Sequence, residues 1–157
     1  MPSCCAAVGE DAVSATSCSR CGHHGRTVDP ITLKALLTPA ALPRFSAESY
    51  RFCPTPDCEI VYFGPQTIFV LEDLALPVFQ KQRPGERTVC YCFAVTEKQL
   101  RSEMADSGTS ESAARIADLV KAGRCACEVR NPQGSCCLGN VTALLTSFQN
   151  ELASSRG

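Results

Sequence analysis

Residues 50–63 read Tyr50-Arg-Phe-Cys-Pro-Thr-Pro-Asp-Cys-Glu-Ile-Val-Tyr-Phe63, and this stretch decides the fold of the first half of the chain. Cys53 and Cys58 flank a Pro-Thr-Pro-Asp turn, and the aromatic and β-branched run after Cys58 is typical of a strand. A second close pair, Cys18 and Cys21, lies upstream. The sequence therefore predicts two metal-binding turns in a small β-rich module.

The chain has 12 cysteines in 157 residues, and almost all of them fall in tight pairs. Two thiolates a few residues apart supply half of a tetrahedral zinc shell, whereas disulfides stabilise most when they close long loops in an oxidising compartment. The N-terminal Met-Pro-Ser-Cys-Cys-Ala-Ala has no basic region followed by a long apolar one, so no secretory peptide is expected. We therefore expect a cytoplasmic protein whose cysteines bind metal.

The first set of four cysteines is predicted to bind one zinc ion: Cys18, Cys21, Cys53 and Cys58. Gly22 follows the second of them and can relieve the strain of a tight cysteine turn. Four thiolates form a closed shell without an open position for water activation, which favours a structural role. His23 or His24 can replace a cysteine here, although adjacent histidines in a polar turn are usually solvated. The same spacing is also compatible with an iron centre or with ordinary reduced cysteines.

The second half carries Cys-x-Cys pairs, a spacing that suits a 2Fe-2S cluster better than a zinc turn, because two nearby sulfurs can ligate one iron. Its cysteines are Cys90, Cys92, Cys125, Cys127, Cys136 and Cys137. A diferric cluster with four thiolates has a charge of about −2, so it benefits from backbone N–H donors. Cys92 precedes a helix predicted to open at Thr96, and Cys137 precedes one predicted near Leu138. Both can therefore receive the partial positive charge of a helix N-terminus.

The predicted fold class is α+β, with a small zinc-bound β-rich module followed by a three-helix 2Fe-2S module. The expected domains are a mobile tail at 1–16, a zinc-binding module at 17–81, a charged Pro-Gly linker at 82–89 and a 2Fe-2S-binding helical module at 90–153. Strands are predicted at Glu59–Phe63 and Thr67–Leu71, whereas Ile31–Leu37 can be a short helix or a strand.

Capping signals delimit the three predicted helices. Thr96 and Gln99 form a capping-box pattern, and Gly108 ends the first helix. Ser110 or Thr109 caps the second helix, which stops at Gly123. The third helix is expected from about Leu138 through Leu152, after a turn at Asn131-Pro-Gln-Gly.

Charge and hydropathy exclude several classes of function. Lys+Arg 15 against Asp+Glu 16 gives a net charge of −1, which offers no electrostatic case for nucleic acid. No apolar run approaches the roughly 18–20 residues that span a bilayer, so membrane insertion is not expected. Motifs for Ser-His-Asp hydrolysis, phosphate binding or His-Glu zinc catalysis are also missing from the sequence, and it supports no enzyme assignment.

The cysteine segments carry a family resemblance. Cys90-Tyr-Cys-Phe-x-Val-Thr-Glu97, Cys127-x-Val-x-Asn-Pro-x-Gly-x-Cys-Cys137 and the upstream cysteine turns resemble the CopZ-type copper chaperone N-terminal domain over roughly 17–152. The iron–sulfur half of that domain is itself similar to bacterioferritin-associated ferredoxin. The resemblance implies one zinc ion and one 2Fe-2S cluster, with cluster ligands at Cys90, Cys92, Cys127 and Cys137. It leaves Cys125 and Cys136 as extra thiols.

The resemblance implies one-electron transfer in copper or related soft-metal homeostasis, including reduction of Cu(II) to Cu(I) for a partner. That partner can be a heavy-metal-associated-domain chaperone or a metal-exporting ATPase. The 157 residues contain no Met-x-Cys-x-x-Cys, the Cu(I) loop of the family's heavy-metal-associated domain, so that domain is not expected within them. Cys4 and Cys5 match no required position and are expected to be free tail thiols.

Two different functions also fit the sequence. The chain can be a metallochaperone or scavenger that binds Cu(I) or Hg(II) through its spare cysteines. It can also be an electron carrier like bacterioferritin-associated ferredoxin, an interpretation that depends on the helical half alone. The reduction potential and the copper stoichiometry distinguish these functions.

Overall fold

The computed structural model describes residues 16–157, and the predictions for the tail, including Cys4 and Cys5, lie outside the described residues. The first half is built on an antiparallel sheet with strand order β1-β2-β3-β4. Its strands are β1 (Arg26–Val28), β2 (Tyr50–Phe52), β3 (Ile60–Phe63) and β4 (Ile68–Val70). Helix α1 (Pro30–Leu36) follows β1, and 3-10 turns occur at Leu42–Arg44, Leu71–Asp73 and Phe79–Lys81.

The segment that could form a helix or a strand is a helix, α1. The Asp29 carboxylate accepts a hydrogen bond from Ile31 N at 2.9 Å, and Pro30 occupies the first turn, where no N–H is needed. This local capping decides in favour of the helix. The strands predicted around Glu59–Phe63 and Thr67–Leu71 are confirmed as β3 and β4, each slightly shorter.

The second half combines a hairpin with helices, so the α+β class is confirmed. The hairpin pairs β5 (Thr88–Cys90) with β6 (Val95–Thr96), and the helices are α2 (Glu97–Ser107), α3 (Glu111–Lys121), α4 (Cys127–Arg130) and α5 (Leu138–Ser155). Helices α2, α3 and α5 correspond to the three predicted helices. The sequence did not predict the hairpin or α4, because elements of two to four residues are too short to show a hydrophobic period.

The predicted caps are largely confirmed. Thr96 Oγ1 accepts from Gln99 N at 3.3 Å, and Gly108 ends α2 in the left-handed conformation with φ +75°. Ser110, rather than Thr109, caps α3 by accepting from Ala113 N at 3.0 Å. A capping box also requires the Gln99 side chain to accept from the Thr96 backbone N–H, and this part of the prediction was wrong. The Gln99 amide instead donates to Ser112 Oγ at 2.9 Å, which joins α2 to α3.

The segment 82–89, predicted to be a linker, makes specific contacts with the second half. Glu97 is 2% exposed and accepts two bonds from Arg87, at 2.7 and 3.0 Å, and one from Gly85 N at 2.8 Å. The Arg87 guanidinium lowers the pKa of the Glu97 carboxyl below its usual range. Val89 of β5 is fully buried. These contacts hold 82–89 against the start of α2.

Each half has its own apolar core. The first lies between the sheet and α1 and includes Leu33, Tyr50, Phe52, Val61, Tyr62 and Phe69. The second lies between the hairpin and helices α2, α3 and α5 and includes Val89, Val95, Leu100, Ile116, Val141 and Phe148. Within residues 16–157, no helix combines the length and apolar character needed to cross a membrane.

Three side chains of the first half hold the segment 128–137, which runs from within α4 to the start of α5 and contains Cys136 and Cys137. Thr32 Oγ1 donates to Glu128 O at 2.6 Å, and Tyr62 OH donates to Pro132 O at 2.6 Å. The Gln80 amide donates to Gln133 Oε1, also at 2.6 Å. The first half therefore fixes the path of the backbone that carries two cysteines of the second half.

We predict that Tyr62→Phe destabilises the protein by about 1–3 kcal/mol, because the buried Pro132 carbonyl loses its donor. Urea unfolding measures the loss, and amide hydrogen exchange measures where it acts. Exchange should accelerate at Asn131 and Gly134, two amides of the 128–137 segment.

Tyr50→Phe is the matched control, because its buried hydroxyl donates to Ser46 O within the first half, at 3.2 Å. It should leave exchange at Asn131 and Gly134 unchanged. Equal acceleration of these two amides in both variants would contradict a specific role for Tyr62.

Candidate metal centres

The four cysteines of the first set converge on one point. The Sγ atoms of Cys18, Cys21, Cys53 and Cys58 all lie within 4.8 Å of one another. Cys18 Sγ is 3.8 Å from Cys58 Sγ, and Cys21 Sγ is 3.6 Å from Cys53 Sγ. Sulfurs at about 2.3 Å from a tetrahedral zinc ion are roughly 3.8 Å apart. The group therefore has the size of a tetrahedral thiolate shell.

Two tight turns bring these sulfurs together. The first is a hairpin closed by the β-bridge between Ser17 and His24, inside which Gly22 N donates to Cys18 O at 2.8 Å. Gly22 has φ +73°, which confirms the strain-relieving role expected after the second cysteine of the turn. The second turn joins β2 to β3, so their antiparallel pairing brings Cys53 and Cys58 close together.

Hydrogen bonds and burial perturb the thiols of this group in opposite directions. The Thr55 hydroxyl and the His23 N–H lower the pKa of the exposed Cys21 to about 6. Burial raises the pKa of Cys53 to about 12 and also raises the pKa of Cys58. Without a metal, Cys21 therefore ionises more readily than Cys53 and Cys58. A dication replaces the protons of the buried thiols and compensates their charge.

Lys81 supports the second turn and was not identified from the sequence. Its ammonium donates to Thr55 O at 2.8 Å and to Cys58 O at 2.7 Å, and it lies 4.0 Å from Cys53 Sγ. Four thiolates around a dication leave a charge of about −2, which a neighbouring ammonium partly balances. Lys81 thus both shapes the turn and offsets the charge of the group.

The second set of four cysteines comes from separate elements. Cys90 ends β5, Cys92 lies in the turn before β6, Cys127 begins α4 and Cys137 is the N-cap residue of α5. Cys92 Sγ lies 3.7 Å from Cys127 Sγ. The Cys90 and Cys137 thiols hydrogen-bond to each other, which lowers the pKa of Cys90 to about 6 and raises that of Cys137. The second set therefore forms two sulfur pairs.

Backbone N–H groups point at sulfurs of this set. Ala126 N donates to Cys92 Sγ at 3.2 Å, and the Cys137 N–H is hydrogen-bonded to Cys127. Burial nevertheless raises the pKa of Cys127 to about 12. Such donors stabilise sulfur that carries negative charge. This arrangement suits thiolate ligands better than inert buried thiols.

A strained turn positions the hairpin cysteines. Ala94 has φ +55°, a left-handed conformation that costs a non-glycine residue about 1–2 kcal/mol. The Phe93 N–H in the same turn is hydrogen-bonded to Cys90. Strain of this kind persists where the surrounding structure requires a particular backbone path. Here the path carries Cys90 and Cys92.

The remaining candidate residues lie outside the converging group of four cysteines. His23 and His24 are exposed and do not belong to the converging four-cysteine group, so that group favours four thiolates over a histidine-containing variant. Cys125 is half-buried and Cys136 is exposed. Among residues 16–157, the first four cysteines form the group in which three or more candidate ligands meet within 4.8 Å.

Comparisons with known proteins agree with this geometry. Residues 15–75 match a family model of the CopZ type described as a zinc-binding domain, and they include all four cysteines of the first group. That group therefore fits zinc. The chain is 37% identical over 120 residues, 76% of its length, to the protein named copper chaperone CopZ of Archaeoglobus fulgidus. It spans 57% of the length of that curated relative.

A solved structure is also similar. The X-ray structure of the Archaeoglobus fulgidus CopZ N-terminal domain aligns with a TM-score of 0.68 and 32% sequence identity. The alignment covers 82% of this chain and 96% of that domain. The likeness therefore extends over both halves of the fold, including the part beyond the zinc-binding family model.

We predict that Lys81→Met accelerates the loss of zinc to a chelator by roughly tenfold, because residues that support metal ligands contribute this much to metal affinity. A colorimetric chelator assay on the zinc-loaded protein measures the rate.

Lys34→Met is the control, because the Lys34 ammonium lies over the Phe45 ring, 5.1 Å from its centroid, and belongs to α1 rather than to the cysteine turns. If both variants release zinc at the wild-type rate, Lys81 does not support the site.

Proposed function

Because this chain belongs to the family of the CopZ N-terminal domain, we propose that it handles copper as a protein with two metal centres. Zinc on Cys18, Cys21, Cys53 and Cys58 has a structural role, and a 2Fe-2S cluster is held by Cys90, Cys92, Cys127 and Cys137. The function is one-electron transfer that reduces Cu(II) to Cu(I) for a partner. The cytoplasm, where thiols stay reduced, suits this chemistry.

The observation that carries the proposal is the arrangement of the second four cysteines as two sulfur pairs. Four sulfurs around one metal ion would all lie at similar short distances, as in the first group. Cys92 and Cys127 form one pair at 3.7 Å, the separation of two thiolates on one tetrahedral metal ion, and Cys90 and Cys137 form the other. Two pairs match the two irons of a 2Fe-2S cluster, which supplies one-electron chemistry when bound.

The surroundings of these cysteines support charged ligands in a protected site. Cys90, Cys127 and Cys137 are buried, and Cys92 is half-buried. N–H groups reach the sulfurs of Cys92 and Cys127. Hydrogen bonds to sulfur and restricted solvent access are the features through which a protein adjusts the potential of an iron–sulfur site.

The first group suits a structural role for a different reason. Its four sulfurs complete the zinc shell and leave no position for a substrate or an activated water molecule. Three of its cysteines, Cys18, Cys53 and Cys58, pack with Ile60 and Phe63 in a small apolar cluster beside the sheet. Zinc there fixes the ends of β2 and β3 and the hairpin that precedes β1.

The copper that this protein handles must be passed on, since neither of the two proposed ligand sets is free to store it. A soft-metal partner with accessible thiolates, such as a heavy-metal-associated domain or a metal-exporting ATPase, fits this requirement. The name of the Archaeoglobus relative, a copper chaperone, supports copper as the metal.

We predict about two irons, two sulfides and one zinc per chain after anaerobic purification from iron-replete cells. Metal and sulfide analysis with visible absorption measures this content. A colourless, iron-free preparation that retains zinc would refute the cluster and leave the structural zinc site standing.

Ligand and non-ligand cysteines should differ in a variant series. We expect Cys90→Ala, Cys92→Ala, Cys127→Ala and Cys137→Ala to abolish or change the visible and electron paramagnetic resonance spectra. Cys125→Ala and Cys136→Ala are the matched controls and should leave both spectra nearly unchanged. Loss of the cluster in Cys125→Ala with retention in Cys127→Ala would overturn the ligand assignment.

The redox role is tested by mixing the dithionite-reduced protein, freed of excess dithionite, with one equivalent of Cu(II) under argon. The visible bands of the oxidised cluster should return as Cu(I) forms, which a Cu(I)-specific chelator detects. Bands that stay bleached would remove the reductase role.

A further inference from the structure

A cleft of about 340 Å3 opens between the turns of the first cysteine group and the segment that leads into α5. His23, His24 and Pro54 line one side, and Cys136 and Asn140 line the other. At ~30 Å3 for each water molecule, the cleft has room for roughly ten, enough for a metal ion with several small ligands. The cleft therefore lies beside the turns of the first cysteine group and beside the residue that precedes Cys137.

Three side chains that line this cleft carry metal-binding atoms and lie outside both proposed ligand sets. His23, His24 and Cys136 are all exposed. His24 Nδ1 lies 3.4 Å from Ser17 Oγ, which leaves Nε2 to face a ligand. Imidazole and thiolate are the donors that copper favours, in both of its common oxidation states.

We propose that this cleft is the docking site for copper, with the imidazoles of His23 and His24 and the thiolate of Cys136 as its ligands. Copper docking here rests on the proposed function, since it names the place where the substrate of that function binds. Nothing in the spacing of these residues predicted it, because His23 and Cys136 are more than a hundred positions apart in the sequence. Only the contact between the two halves brings them to one cleft.

The docking site is open rather than preformed. Within residues 16–157, the donor atoms of the first four cysteines meet within 4.8 Å of one another. His23, His24 and Cys136 do not belong to that group. Because all three are exposed, they can rotate towards a shared ion without breaking a packed core. A site that must order its ligands binds weakly, and weak binding suits a substrate that has to leave again.

Electrostatics restrict the form in which copper enters. Arg26 also lines the cleft and is exposed, so its positive charge opposes a bare dication. Copper that carries anionic ligands, such as carboxylates, avoids this repulsion. The chemical class expected in the cleft is thus a small anionic or neutral copper chelate that exchanges ligands with His23, His24 and Cys136.

The position of Cys136 connects the cleft to the second metal centre. Cys136 precedes Cys137, a proposed cluster ligand, so a metal ion on Cys136 is separated from that ligand by one peptide unit. The Gln133 amide donates to Cys136 O at 3.1 Å and is itself held by Gln80. Gln133 and, through it, Gln80 therefore hold the backbone that carries the Cys136 thiol.

The first test measures binding without electron transfer. Ni²⁺ favours imidazole donors as copper does, and it is not reduced by the protein. The full chain, loaded with zinc and with its cluster oxidised, is titrated with Ni²⁺ citrate by calorimetry, in a Cys4→Ser/Cys5→Ser background that removes competing thiols. His23→Ala/His24→Ala and Cys136→Ser should each weaken binding by about tenfold or more.

Cys125→Ser is the matched control, because Cys125 is a spare thiol that does not line the cleft. It should bind Ni²⁺ as the parent protein does, and equal zinc content in all variants shows that the turns remain folded. Unchanged binding in the histidine and Cys136 variants would overturn the docking site.

The second test separates docking from the proposed function. Each reduced protein is mixed with Cu(II) citrate, and the return of the oxidised bands is followed by stopped flow at low copper concentration. Slower reoxidation in the cleft variants than in Cys125→Ser supports docking. Equal rates overturn docking and leave the redox function intact, whereas no reoxidation in the parent, with Ni²⁺ binding still dependent on the cleft, overturns the redox function alone.

Discussion

The buried hydrogen bond from Tyr62 to Pro132 joins the sheet beside the first cysteine group to the segment that carries Cys136 and Cys137. A buried carbonyl must find a donor, and the Tyr62 hydroxyl supplies one from the middle of the sheet, over 2.6 Å. Burial raises the pKa of Tyr62, so this hydroxyl keeps its proton and remains a donor at any physiological pH. The backbone that carries Cys136 and Cys137 is thereby fixed to β3, whose neighbour β2 is followed directly by Cys53.

Two adjacent residues of the turn Phe79–Lys81 contact both candidate metal centres: one contacts the turn of Cys53 and Cys58, and the other contacts the segment 128–137. Lys81 donates to the backbone of the zinc turn, and the adjacent Gln80 donates to Gln133 of the 128–137 segment. The turn of Cys53 and Cys58 and the segment 128–137 are therefore held by two consecutive residues. The cysteine group for which we propose structural zinc in this way shares its support with the site proposed to carry electrons.

Local signals in the sequence predicted what neighbouring residues decide. The Gly22 turn, the caps at Thr96 and Ser110 and strand β3 depend on contacts within a few positions, and the structure has them. The pairing of the sulfurs in the second set of cysteines does not depend on neighbouring residues. Cys92 meets Cys127 across 35 positions, and a spacing rule that treats nearby cysteines as partners contains no information about this contact. Lys81 gave no signal either, because a single lysine in a polar segment looks like any solvated charge.

The Cys136-Cys137 dipeptide supplies one buried thiol and one exposed thiol. Successive residues at the entry to a helix point in different directions, and here Cys137 is buried as the N-cap residue of α5 while Cys136 is exposed. The Cys125-Ala-Cys127 pair is similar, because Cys127 is buried and Cys125 is half-buried. Each motif therefore gives one thiol to the interior and leaves one near solvent. Among the cysteines of residues 16–157, Cys136 is an outward thiol that lines a cleft with two imidazoles, where an incoming soft metal ion can be met.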